Sequence, residues 1–204
     1  MQLKLPKNIP KPSTEQQWQK YSPWIFYLSN LFLAIGYIAL LFYALIWETG
    51  NIVNLPTKKI GFFNFCLWDQ EAEKLDCFTF NNLEKMGINT VALILSRICI
   101  FITPVLCLFA ATTVLQSLCF KDRDGWKLAH SLLAICGLLL PAGLALFLFY
   151  TKKWIQISDL DEVFVALVGA HVLLLLHLII IALYLARFKD HFPERRLFPT
   201  RSLP

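Results

Sequence analysis

Charge is what this sequence has least of. Only 16% of its 204 residues are acidic or basic, against 57% hydrophobic, whereas a soluble domain usually carries about 25% charged residues. Residues 91–120 hold a single charge, Arg97, and residues 129–150 and 163–186 hold none. Buried helices of soluble proteins keep a polar face and these do not, which excludes a soluble bundle. The last three runs also lack any acid, and the chain has no His-Glu-x-x-His motif, nucleophile elbow or histidine cluster. Intramembrane catalysis therefore has no visible machinery, and the expected protein is not an enzyme. No Cys or His spacing suits zinc, so neither metal nor cofactor is expected. A basic stripe interleaved with stacking aromatics is missing as well, so the net charge of +5 does not point to nucleic acid. The loops carry no Asn-x-Ser/Thr acceptor, and no N-glycan is expected.

What is present is apolar length. Residues 24–46, 91–120, 129–150 and 163–186 are each long enough for a hydrocarbon core of roughly 30 Å, which needs about 20 apolar residues per helix. The expected architecture is mainly α and integral to the lipid bilayer: a four-helix transmembrane domain over 24–186, with outer loops 48–90 and 151–162. The first run starts too late and runs too long for a cleaved signal core, and reads as a retained anchor. Before it, residues 1–23 contain Pro6, Pro10 and Pro12 and are expected to form a disordered leader. Trp18, Tyr21, Trp24 and Tyr27 are expected at headgroup depth.

Orientation follows the basic residues. Twelve lie in 1–23, 121–127 and the tail 187–204, and six lie in the two loops, where acids outnumber them. The positive-inside bias then puts both termini in the cytoplasm. A plasma-membrane location is favoured over the endoplasmic reticulum. The tail mixes five basic residues with aromatic and aliphatic ones; it either lies on an anionic leaflet or serves only to set topology.

The loop 48–90 is too long for a bare connection. Residues 58–68 and 75–80 are aromatic, extended runs around a polar turn at 69–74, which predicts an antiparallel hairpin. Cys66 and Cys77 fall on its opposite arms and would oxidise outside the cytoplasm. The alternative is two free thiols in a flexible loop.

These residues carry two resemblances. Phe42-Tyr43-Ala44-Leu45-Ile46-Trp47-Glu48, followed by residues 60–68, closely resembles the transmembrane protein 140 family. More distantly, the pattern is similar to the claudin-like tetraspan superfamily, with a Trp ending helix 1, Gly-Leu-Trp-x-x-Cys, a second Cys, and an Arg early in helix 2. Trp47, Gly61-Phe62-Phe63-Asn64-Phe65-Cys66, Cys77 and Arg97 match those places, with Phe62 and Phe63 standing for Leu and Trp. The claudin-like resemblance implies a left-handed four-helix bundle capped by a small, disulfide-pinned β-sheet.

Arg97 lies roughly 9–13 Å down its helix at 1.5 Å per residue, where a charge needs a partner. Glu48 is its expected partner, with loop carbonyls as the alternative, and the pair would clamp loop to bundle. An ion-selectivity role for Arg97 is the rival reading. His171 and His177 are six apart, about 240° around a helix, and read as interior hydrogen-bonding residues. Cys119 ends the second span beside Phe120-Lys121, a position suited to S-palmitoylation or simply to a small apolar side chain.

The function expected from these features is contact rather than chemistry. The protein would work as a membrane organiser, adhesion-type protein or accessory subunit, through homo-oligomers or another membrane protein. Its candidate contact surface is the aromatic loop, including Phe62, Phe63 and Trp68, though some of these must pack inside the loop and not all can be contacts. A channel or transporter component is the alternative.

Overall fold

The computed structural model describes residues 14–70, 73–120 and 123–191. The first 13 residues and those beyond 191 lie outside the described residues, as do the side chains of Trp18, Tyr21 and Trp24, on which leader, tail and headgroup expectations fell. Helix α1 (Thr14–Phe42) continues into a wider π-helical turn, Tyr43–Trp47. Strands β1 (Asn51–Leu55), β2 (Lys58–Gly61), β3 (Phe65–Asp69) and β4 (Lys74–Cys77) follow. Then come a short helix α2 (Phe80–Lys85) and three long helices: α3 (Thr90–Phe120), α4 (Arg123–Thr151) and α5 (Glu162–His191). A single 3₁₀ turn, Ile157–Asp159, interrupts the link before α5.

Among the described residues, four helical stretches are long and apolar enough to cross a membrane: Ile25–Trp47, Thr90–Phe120, Asp124–Thr151 and Glu162–Ala186. They mark an integral membrane protein. Each contains or closely matches an expected span, but the helices run further. Helix α1 begins at Thr14, inside the leader expected to be irregular, and α4 begins at Arg123 rather than 129. Apolar length reports where lipid must be crossed, whereas backbone hydrogen bonding carries a helix past that point.

Helices α3 and α4 meet closely at a glycine. A Cβ added to Gly143 of α4 would lie 2.9 Å from the Ile100 side chain of α3, so the two helices meet where no larger residue fits. Ser96 donates to the Gly143 carbonyl at 2.7 Å across that contact. Tyr37, Leu41, Ile100, Leu133, Leu140, Leu167, Leu174 and Ile181 fill the interior. One polar pair lies among them. Asn30 donates from Nδ2 to the Phe26 carbonyl at 2.7 Å, which turns its Oδ1 toward His177 Nε2, 3.0 Å away. At one end of the bundle, Phe26, Trp126 and Tyr184 close the core, with Phe26 and Tyr184 stacked at 4.4 Å.

The strands form one antiparallel sheet at the opposite end, in the order β1-β2-β3-β4. The expected hairpin is therefore incomplete. Residues 58–68 are two strands rather than one, broken at Phe62–Asn64, where the Gly61 N–H donates to the Asn64 carbonyl at 2.7 Å. Residues 51–55 add a further, unexpected strand. The run expected over 75–80 stops as a strand at Cys77, and Phe80 begins a helix. The break has a physical cause: Phe62 leaves the sheet to enter the bundle, and an unbroken strand could not place it there.

Candidate functional site

The sheet is the candidate site, and its geometry begins with two glycines. Helix α1 ends where Thr49 and Gly50 take φ of 53° and 67°, the left-handed region that favours glycine. The chain turns there into β1. Gly61 comes back over that turn so closely that an added Cβ would lie 2.5 Å from the Gly50 carbonyl oxygen and 2.7 Å from Asn51 Cα. The next N–H, of Phe62, donates to that same Gly50 oxygen at 3.1 Å. Both obstructing atoms are backbone and cannot rotate away. Gly61→Ala is expected to cost about 1–3 kcal/mol as overpacking. Thermal melting in detergent checks this, and an unchanged midpoint would show that the crossing is looser than it looks.

Beyond Gly61 the two phenylalanines part. Phe62 is buried to 1% exposure, its ring 4.8 Å from Phe147 of α4 and 6.4 Å from Phe101 of α3. It plugs the bundle, which makes it the one of the three candidate aromatics that is packed away and not free for contacts. Phe63 stays on the rim at 57% exposure, packed edge-on to Phe101 at 4.8 Å.

Arg97 meets Phe63 rather than the expected carboxylate. Its guanidinium carbon sits 5.2 Å from the centre of the Phe63 ring, a cation–π contact between α3 and the loop. Among the described residues Glu48 forms no ion pair. Its N–H instead donates to the Tyr43 carbonyl at 3.0 Å, closing the π-helical turn. One contact between Arg97 and the loop is thus made through an aromatic face, because the turn that buries Phe62 presents Phe63 to α3.

Cys66 and Cys77 stand opposite each other on β3 and β4, with their sulfurs at disulfide-bonding distance. The neighbouring pair exchanges the ladder bond, since the Phe78 N–H donates to the Phe65 carbonyl at 2.8 Å, so the cysteines occupy a non-hydrogen-bonded position, where side chains are closest. Trp68 stands at 45% exposure on β3, and Trp47, at the end of α1, at 80%.

A model of the TM140 protein family matches residues 19–194, a stretch that holds the four spans and the whole sheet. The chain belongs to that family.

The second loop of this TM140 protein is fastened to the sheet, a contact that no local pattern in the chain announces. Lys58 Nζ lies 2.6 Å from Asp159 Oδ2 and donates to the Trp154 carbonyl at 3.0 Å. The Asp161 N–H donates to the Ile52 carbonyl at 3.0 Å, which extends the edge of β1 into the second loop. The Lys58 ammonium, with the Gln156 N–H, holds the Asp159 carboxyl below the usual carboxylate range. A depressed value means that this contact stabilises the fold above the ordinary aspartate value near 4 and that the stabilisation fades as pH falls through the lower folded value. The melting temperature is accordingly expected to fall as pH drops below about 5. Asp159→Asn should be less stable at pH 7 and should lose part of that pH dependence; an identical pH curve would show that the clip contributes nothing.

The remaining expected residues of the TM140 chain fall away from the sheet. His177 is fully buried in its pair with Asn30. His171 borders a small groove between α4 and α5, of about 240 Å³, beside Pro141 and Phe164. Cys119 is exposed in the last turn of α3, at the far end of the bundle from the sheet.

Proposed function

We propose that this TM140 protein is a non-enzymatic, claudin-like tetraspan that acts by contacts made through its sheet-bearing loop. In this reading the sheet faces the cell exterior, Cys66 and Cys77 are disulfide-bonded, both termini are cytoplasmic, and the membrane is the plasma membrane. The observation that carries it is how the sheet is mounted. Phe62 plugs the bundle, Arg97 covers Phe63, and Lys58 holds the second loop. Those contacts hold the sheet rigidly while Trp68 and the free edge of β4 remain exposed. An exposed strand edge invites pairing with another chain, and a half-exposed Trp is the residue type most often dominant in protein interfaces.

Crosslinking of the protein in intact cells, with mass spectrometry of the purified complex, tests this. Species at multiples of the 23.5 kDa chain support self-assembly, and a consistent second membrane protein supports an accessory role. Trp68→Ala should reduce either species severalfold while leaving melting unchanged. A strictly monomeric protein would sink the contact reading.

A further inference from the structure

We propose that the groove between α1 and α5 at the sheet end binds a cationic amphiphile, a protonated long-chain amine of the sphingoid-base type. The groove encloses about 610 Å³. Its floor is apolar and is made by Leu40 of α1 with Val165, Ala166 and Gly169 of α5. Val165 is 67% exposed on a helix long and apolar enough to cross a membrane. Gly169 lies seven residues below Glu162, roughly 10 Å at 1.5 Å per residue, so the floor extends well below the mouth.

The mouth is acidic. Tyr43 donates from its hydroxyl to Glu162 Oε2 at 3.0 Å, which fixes that carboxylate over the groove. Asp161 borders the same mouth, and Glu48 is close enough to act electrostatically on the same hydroxyl. Among the described residues no Lys or Arg forms an ion pair with Glu48, Asp161 or Glu162. Asp161 has a local task, accepting the Glu162 N–H at 2.8 Å at the start of α5. That task does not neutralise its charge.

Charge complementarity then selects the occupant. An anionic mouth with no ion-paired cation among the described residues, over an apolar floor, fits one positive headgroup joined to an alkyl chain. A phospholipid would bring its own phosphate anion beside these carboxylates, and like charges that close repel. A neutral lipid would leave the carboxylates to water and gain nothing from their charge. An alkyl chain on Leu40, Val165 and Gly169 removes apolar surface from competing lipid packing only modestly, so the ammonium–carboxylate contact should dominate selectivity.

The test uses the full-length protein in neutral-lipid nanodiscs and a photoactivatable, clickable sphingosine. The label is expected on peptides covering 36–47 and 160–169. Unlabelled sphingosine should compete at least tenfold better than its N-acylated, uncharged ceramide or than phosphatidylethanolamine. Glu162→Gln keeps an acceptor for Tyr43 and removes the charge, and should lower labelling severalfold. Gly169→Leu fills the groove without touching the mouth: an added Cβ there meets Leu40 at 3.5 Å, an ordinary contact, and labelling should fall again. Melting temperatures of both variants should match the parent, which separates lost binding from lost fold. Equal competition by ceramide, labelling unaffected by both variants, or a label placed elsewhere would each overturn the proposal. So would photocrosslinking of a second copy across this same face, which would make the groove a protein interface.

Discussion

Phe62→Ala is expected to unlatch the sheet while leaving the helices folded. The ring is buried between α3 and α4, and emptying a buried Phe site typically costs about 3–5 kcal/mol through lost burial and the cavity left behind. Phe62 belongs to the sheet loop and its neighbours Phe101 and Phe147 belong to the bundle, so the cost falls on the junction rather than on either part. Local opening of the sheet should then rise by roughly two to four orders of magnitude, at about 1.36 kcal/mol per tenfold change. Limited trypsin digestion reads this directly, because Lys58, Lys59 and Lys74 lie in the strands that would open. Helical circular dichroism should be unchanged. Phe63→Ala, which removes a rim residue, should raise cleavage much less. Cleavage at the parent rate in Phe62→Ala would mean that the sheet is held by its other contacts, and the plug would lose its importance.

The second large effect concerns Cys66 and Cys77. With a sequence separation of 11, their bond closes a short loop worth about 3 kcal/mol in the chain-entropy model. Alkylation of the denatured, unreduced protein from intact cells is expected to leave the Cys66 and Cys77 peptides unlabelled, and reduction beforehand should label both. Cys66→Ser alone should cost nearly as much stability as the double serine variant, because either change removes the same bond. The measurement reaches beyond stability. Disulfides persist in oxidising compartments and are rare in the cytosol, so protected cysteines would also support the proposed orientation. Full labelling without reductant would count against the disulfide and against an exterior sheet together.

Much of this architecture could be read from local patterns. Four apolar runs announced four membrane-crossing helices, because hydrocarbon penalises any unpaired backbone and any charge over a fixed length. The cysteine pair and the extended character of their surroundings were equally visible. The partners of those features were less so. Arg97 was expected against Glu48, since opposite charges are the simplest way to compensate a cation within a span, yet it packs on the Phe63 ring, and Glu48 forms no ion pair among the described residues. A ring face also compensates charge, but nothing in residue spacing says which ring will be turned toward it. Lys58 and Asp159 are separated by 101 positions, and His177 and Asn30 by 147. Such pairs exist only after helices have been placed side by side.

Gly61 and Phe62 show where the division falls. The amino-acid sequence by itself determined the number of spans, the charge asymmetry of their flanks and the presence of a structured loop, since each depends on solvent transfer summed over a local window. Membership of Gly61 and Phe62 in a motif was legible too. Their roles were decided only by the tertiary structure: Gly61 admits the backbone of another strand, and Phe62 fills space between two helices. Close packing depends on which surfaces meet in three dimensions, and a contact between distant segments leaves no periodic trace along the chain.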